Sequence, residues 1–261
     1  LAVPGVLKVI AIPAPTAPLA YQPLGGIAVI ATNTWAAIQG RNALEIVWDN
    51  GANGTYDSRE YQQRLEQRAR EPGRVIRRQG DINAGLAAAT TRLDAEYYVP
   101  HLSHAPMEPP VATARITSTG VQVWASTQNP QADQAEVSRM LGLQSAQVEV
   151  HVTLLGGAFG RKSKPDFSSE AAYLAQQSGF TIRLQWTRED DIQHDFYHTV
   201  SAQKLSAGLD DQGKILAFRH RTVFPSIGAL FSAGTTNPSA GELSQGFSDS
   251  PIRAPNLQLE V

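Results

Sequence analysis

At 261 residues with 42% hydrophobic content, the chain is long enough to bury a substantial core, as one large or two modest domains. Its formal net charge of −2 gives no electrostatic case for nucleic acid or an anionic membrane as partner. The absence of cysteine excludes disulfides, thiolate-held iron–sulfur clusters and a thiol nucleophile on this chain.

Periodicity and punctuation order the rest. Leu1 is not an initiator methionine and Val261 falls inside the alternating run LQLEV, so the expectation is a piece of a longer polypeptide. Residues 5–12 and 27–32 alternate as strands, Asn33 caps a short helix in TWAAIQGRNA, and LEIVWD at 44–49 is expected to return as a strand. Residues 1–55 thus form a small α+β unit. NGANGTYD is a turn-rich linker, and SREYQQRLEQRAREPG is a polar helix ended by Pro72 and Gly73; 56–74 is assigned as a linker helix. A second domain occupies 75–261. Strands are expected at VIRRQ, RLDAEYYV, 111–117, 121–126, 147–153 and TIRLQW, with helices near INAGLAAA, over 131–141 and after Pro165. VSAQKLSAGLDDQGKILAFRHRTV reads as a hairpin turning at Asp210-Asp211-Gln212-Gly213, and the Ser/Gly/Pro/Asn-rich stretch after Pro225 as loop.

The most informative stretch is VEVHVTLLGGAFGRKSKPDFSSE, Val148 to Glu170, in which a strand enters a glycine-rich loop and then a helix start. Gly156, Gly157 and Gly160 can adopt positive φ and bring backbone N–H groups close to a ligand, and the helix after Pro165 directs its positive end towards them. Nucleotide motifs do not fit. The phosphate-binding pattern G-x-x-x-x-G-K-[ST] would need glycine where Arg161 stands, and the spacing of the three glycines breaks G-x-G-x-x-G.

Several separated motifs agree on one family. VWASTQNPQADQAEVSRMLGL, VEVHVTLLGGAFGRK and TIRLQWTREDDIQHDFYH resemble the molybdenum-cofactor-binding large subunit of the xanthine dehydrogenase and aldehyde oxidase family. APMEPP (Ala105–Pro110) and the AFGRKS form of the loop are most similar to the isoquinoline 1-oxidoreductase beta subunit and membrane-bound aldehyde dehydrogenase branch. The resemblance implies an α+β fold, a partial hammerhead-like domain followed by the first part of a molybdopterin-binding domain. It implies molybdenum on molybdopterin, in the cytosine dinucleotide form. The implied partners are the remainder of the large subunit, a small [2Fe-2S] subunit and, as a further candidate, a cytochrome c subunit. A small-molecule substrate is implied, with water as its oxygen source. The implied location is the bacterial periplasm or the periplasmic face of the inner membrane, with the cytoplasm as the alternative.

Carried over residue by residue, the resemblance makes Gln128 of STQNP the amide that approaches an oxygen ligand of the metal. Gly156, Gly157, Ala158, Phe159 and Gly160 become the loop packed against the pterin, and Arg161 a cationic partner for a cofactor phosphate. Lys162 reads as a solvated charge. Purine-oxidising members carry a glutamate where Ser163 stands, so aldehydes or N-heteroaromatics fit better than xanthine. The family's general base is expected outside this chain, and Glu108 and Glu170 read as structural. His194 and His198 sit at i, i+4 among Asp190, Asp191 and Asp195 but read as polar loop, and no protein-held metal is expected. The competing possibility is a cofactor-free scaffold of the same fold.

Overall fold

The computed structural model describes residues 3–261. In chain order it contains β1 (Val6–Ile12), β2 (Gly26–Ala31), α1 (Thr34–Asn42), α2 (Ser58–Arg70), β3 (Val75–Gln79), α3 (Ile82–Ala87), β4 (Thr91–Val99), β5 (Val111–Ile116), β6 (Val121–Ala125), α4 (Pro130–Leu141), β7 (Val148–Val152), α5 (Asp166–Ser178), β8 (Ile182–Gln185), α6 (Arg188–Gln193), β9 (Ser201–Leu209), β10 (Ile215–Val223), α7 (Ala240–Leu243) and β11 (Asn256–Glu260). The mixed helices and strands are those of an α+β chain. They gather into two compact units, each discontinuous in sequence: the segment up to Asp49 with Ser103–Tyr197, and Asn50–Leu102 with His198–Val261. This differs from a sequential division at 55 and 75, and burial explains why. Ile12 of β1 and Ile30 of β2 are buried in the same cluster as Phe167, Val121 and Ile182, so the first segment has no separate core.

The first unit is built on a four-stranded sheet of order β7-β6-β5-β8, besides the β1–β2 pair. Alternation along β6 sends Val121, Val123 and Ala125 inward. The crossover α4 joins β6 to its parallel neighbour β7. It starts cleanly because the Asn129 side chain accepts from the Ala132 N–H and Pro130 needs no N–H partner; it stops where Gly142 takes φ +67°. Helix α5 is buried over most of its surface. Ala171, Ala172 and Ala175 are fully buried and allow close approach of β5 and α4, while Phe167 fills the space beneath and contributes roughly 2–3 kcal/mol.

In the second unit a five-stranded sheet runs β3-β11-β10-β9-β4. The β9–β10 hairpin closes as expected: Gly213 takes φ +79°, and Asp210 Oδ1 accepts from the N–H groups of Gln212 and Lys214. Leu65 and Ala69 of α2 pack with Val200 and Ala202. Two expectations are corrected. LEIVWD forms no strand; no strand among the described residues pairs with it, and Val47 is 99% exposed. The stretch after Pro225 is not all loop, since it contains α7 and then β11, which lies parallel to β10 and antiparallel to β3 with Leu257 and Leu259 buried. Among the described residues no helix is long and apolar enough to cross a membrane.

Candidate functional site

Ala125 stands opposite Val152 in the parallel β6–β7 ladder, and Thr153 N–H donates to Ala125 O, so the segments leaving the carboxyl ends of these strands emerge side by side. The first is Ser126–Asn129 and the second the glycine loop. They are stitched together. Gln128 N–H donates to Lys162 O at 2.9 Å, Thr127 Oγ1 donates to the same carbonyl at 3.2 Å, and Gly160 N–H donates to Gln128 Oε1 at 3.1 Å. The last bond orients the amide of Gln128. Its oxygen is taken, its NH2 has no protein acceptor among the described residues, and the residue is exposed.

The loop bends through Gly157 (φ +90°), Phe159 (φ +56°) and Gly160 (φ +99°). Glycine accepts that region freely, whereas Phe159 holds it at a cost of roughly 1–3 kcal/mol, with its ring 71% exposed. Strain of this kind concentrates at ligand sites. At Gly160 a Cβ would meet only His104 Nε2, at 3.8 Å, so the crest has room above it. The N–H groups of Gly157, Ala158 and Phe159 donate to no described residue, so the loop and the Gln128 carboxamide both keep uncharged donors without a protein acceptor.

Three residues do something other than expected. Gly156 is glycine for packing, because a Cβ there would lie 2.6 Å from Glu108 Cβ. Its N–H donates to Glu108 Oε2 and its carbonyl accepts from Glu108 N–H, which leaves no donor for a ligand. Arg161 is no phosphate partner. Its side chain is fully buried, its guanidinium donates to both oxygens of Asp166 at 2.9 and 2.7 Å, and its Nε lies 2.8 Å from Asp195 Oδ1, in ionic contact though out of line for a hydrogen bond. The rings of Trp186 and Phe196 lie 5.2 and 5.3 Å away. Burial disfavours the guanidinium charge, but Asp166, Asp195 and Asp191 outweigh it and raise its pKa. Lys162 is likewise buried rather than solvated, donating to Glu108 Oε2 at 2.5 Å and to Ser126 Oγ at 3.2 Å. Burial opposes ionisation of Glu108, yet Lys162, the Gly156 N–H and Ser126 together hold its carboxyl below the ordinary value.

The charged partners of the loop come from segments distant in sequence or from the helix behind it. Asp195 Oδ2 accepts from both the N–H and Nδ1 of His104, at 2.6 and 2.8 Å. Asp166 begins α5 directly after the loop, and Glu170, one turn further on, is buried with Oε2 accepting from Trp186 Nε1 at 2.8 Å. The APMEP motif marked the neighbourhood of Glu108 but not its lysine. Ser163 Oγ donates to Gly160 O at 2.7 Å, trimming the loop instead of presenting an acid. His194 caps α6 and His198 bridges to Leu102, and no group of three or more metal-ligating side chains occurs among the described residues.

A βαβ-bearing sheet that opens a strained donor-rich glycine loop at the carboxyl ends of adjacent parallel strands defines a cofactor-binding protein of mixed α+β class. The chain belongs to the molybdopterin cofactor-binding domain family, which matches residues 67–260. This bears out the resemblance to the large subunits of the xanthine dehydrogenase and aldehyde oxidase family. It is 28% identical over 216 residues to a nicotinate dehydrogenase subunit of Pseudomonas putida, a match covering 81% of this chain and 18% of that protein. It is also 28% identical over 229 residues to the isoquinoline 1-oxidoreductase beta subunit of Brevundimonas diminuta, covering 84% and 28% respectively. The fold matches aldehyde oxidoreductase from Desulfovibrio gigas with a TM-score of 0.66 at 17% identity, over 98% of this chain and 31% of that one. The chain thus spans less than a third of the length of each of these relatives.

Proposed function

We propose that this chain is part of the large subunit of a molybdenum hydroxylase acting on aldehydes or N-heteroaromatic rings. One observation carries the proposal: Gln128 and the crest of the glycine loop, 32 residues apart, are joined through the Gly160–Gln128 bond, both keep uncharged donors without a protein acceptor, and the crest at Gly160 has room above it. That arrangement fits a pterin–molybdenum group, whose electron-rich oxygens and ring heteroatoms need hydrogen bonds without a competing cation. When bound, the group supplies a two-electron oxidation with water as oxygen source.

The chain's own residues hold and shape. Gln128 NH2 donates to the group, Gly157 and Gly160 admit close backbone approach, and the exposed Phe159 ring narrows the approach and excludes water. The half-buried Lys162–Glu108 pair and the buried Arg161–Asp166 pair fix the loop from below. Ser163 offers no carboxylate, and together with the nicotinate and isoquinoline relatives this favours a substrate other than a purine. Electrons leave through an iron–sulfur partner subunit. The cytosine dinucleotide form of the cofactor, a cytochrome c partner and a periplasmic location belong to the same proposal. The general base lies elsewhere in the polypeptide, so the 261 residues alone are expected to be inactive.

The test is metal and pterin analysis of the full-length protein produced with its partner subunits. Stoichiometric molybdenum and pterin, with oxidation of an aldehyde or isoquinoline by an artificial acceptor, is the expected result. A folded assembly free of both would leave the cofactor-free scaffold in its place.

A further inference from the structure

We propose that Arg161 is a positioning residue: its buried guanidinium ties the glycine loop, the start of α5 and the His104 segment into one rigid frame that holds the loop in its ligand-ready shape. This rests on the proposed function only for what the loop receives. The frame is read from contacts. Arg161 follows the crest residue Gly160, and its own N–H closes the loop on Ala158 O at 2.9 Å. Its side chain spans Asp166, in the first turn of α5, and Asp195, beyond the end of α6. Asp195 in turn holds the His104 N–H and Nδ1, which directs Nε2 towards the crest, 3.8 Å from where a Gly160 Cβ would stand.

A fork with donors on two edges can bridge two carboxylates, whereas an ammonium is a point charge on a flexible stem. Trp186 and Phe196 lie against the guanidinium and limit its movement. Arg161 is fully buried and its side chain is held by protein carboxylates, so it acts on a ligand only through the loop it holds. Positive φ at Gly157, Phe159 and Gly160 is a shape the chain would leave without such a frame, Phe159 above all.

The experiment compares wild type, Arg161→Lys and, as a control for general loss of stability, Arg221→Lys, which weakens the buried Arg221–Glu260 pair of the other unit. All are made as the full-length protein with its partner subunits. Three quantities are read: melting temperature, amide hydrogen exchange of peptides containing His104, Gln128 and Gly160–Arg161, and molybdenum and pterin content. Arg161→Lys is expected to keep a cooperative melt while those three peptides exchange at least about 10-fold faster and cofactor content falls by a similar factor. Arg221→Lys should lower melting without selective loss in those peptides. Cofactor lost with loop exchange unchanged would make Arg161 a ligand contact and overturn the inference, as would retained protection and retained cofactor. Should Arg161→Lys fail to fold, Asp195→Asn, which keeps the shape of the acceptor and removes its charge, is read by the same three measurements and decided by the same outcomes. If wild type itself carries no cofactor, the proposed function fails while the exchange comparison still decides the role of Arg161.

Discussion

Replacing Glu170 by glutamine should flatten the pH dependence of stability. Burial, followed by the nearby negative Asp166, pushes the Glu170 carboxyl from its ordinary 4.5 up to about 8, against the lowering effect of the Trp186 N–H. A carboxyl raised in the fold is protonated there while the unfolded chain ionises. Its contribution is therefore full below the ordinary value and is lost as pH climbs through the interval to about 8. Each unit of separation is worth about 1.4 kcal/mol, so the loss across the interval approaches about 5 kcal/mol, an upper bound because the neighbourhood relaxes around a buried charge. Glu170→Gln keeps an oxygen to accept from Trp186 Nε1 and cannot ionise. Denaturant unfolding of wild type and variant, followed by tryptophan fluorescence over a pH series, isolates the effect as a difference between the two proteins. The curves should lie close at about pH 5 and separate by a few kcal/mol in favour of the variant by about pH 9. Parallel curves throughout, or a gap that closes as pH rises, would refute the argument. Because α5 carries Asp166 on the same face, alkaline loosening there should also reach the loop.

Gln128→Ala should slow substrate oxidation by about 10- to 100-fold in steady-state assays while metal content stays near wild type, since one donor is removed and the loop itself remains. Gly160→Val should abolish cofactor loading, measured as molybdenum and pterin per chain, while circular dichroism stays close to wild type, because the added side chain occupies the open crest and disfavours φ +99°. Gly156→Ala should instead lower unfolding free energy by about 1–3 kcal/mol, as its methyl collides with Glu108, and calorimetry distinguishes this from a loading defect. Lys162→Met, which leaves the partly exposed Glu108 carboxylate without its cation, should destabilise by about 1–3 kcal/mol in the same measurement.

Where pattern and punctuation were local, the sequence carried the structure. The Asn33 cap, the turn at Gly213 and the alternation of β6 need nothing beyond a few neighbouring residues. What was not legible depends on partners far along the chain. LEIVWD has the composition of a strand but no strand to pair with among the described residues, and Asn256–Glu260 becomes a strand because β3 and β10 flank it. The candidate site divides the same way. Gln128 and the loop were visible as motifs, but Arg161 read as a phosphate partner and Lys162 as a solvated charge because Asp195 and Glu108 lie 34 and 54 residues away. No local pattern distinguishes a solvated cation from a buried one whose counter-ion arrives from another segment.

The parallel pairing of β6 with β7 also sets how this site can tolerate change. The gap between Gln128 and the loop is fixed by the Ala125–Val152 step of the ladder, whereas the crossover through α4 returns to the sheet at its opposite end, near Val121 and Val148. Residues added or removed around 143–147 should therefore leave the two halves of the site in step. A slip of one residue in β7 would move every loop donor by about 3.3 Å and turn inward-facing side chains outward. Length variation in relatives is thus expected at the crossover, and fixed length between Val148 and Gly160.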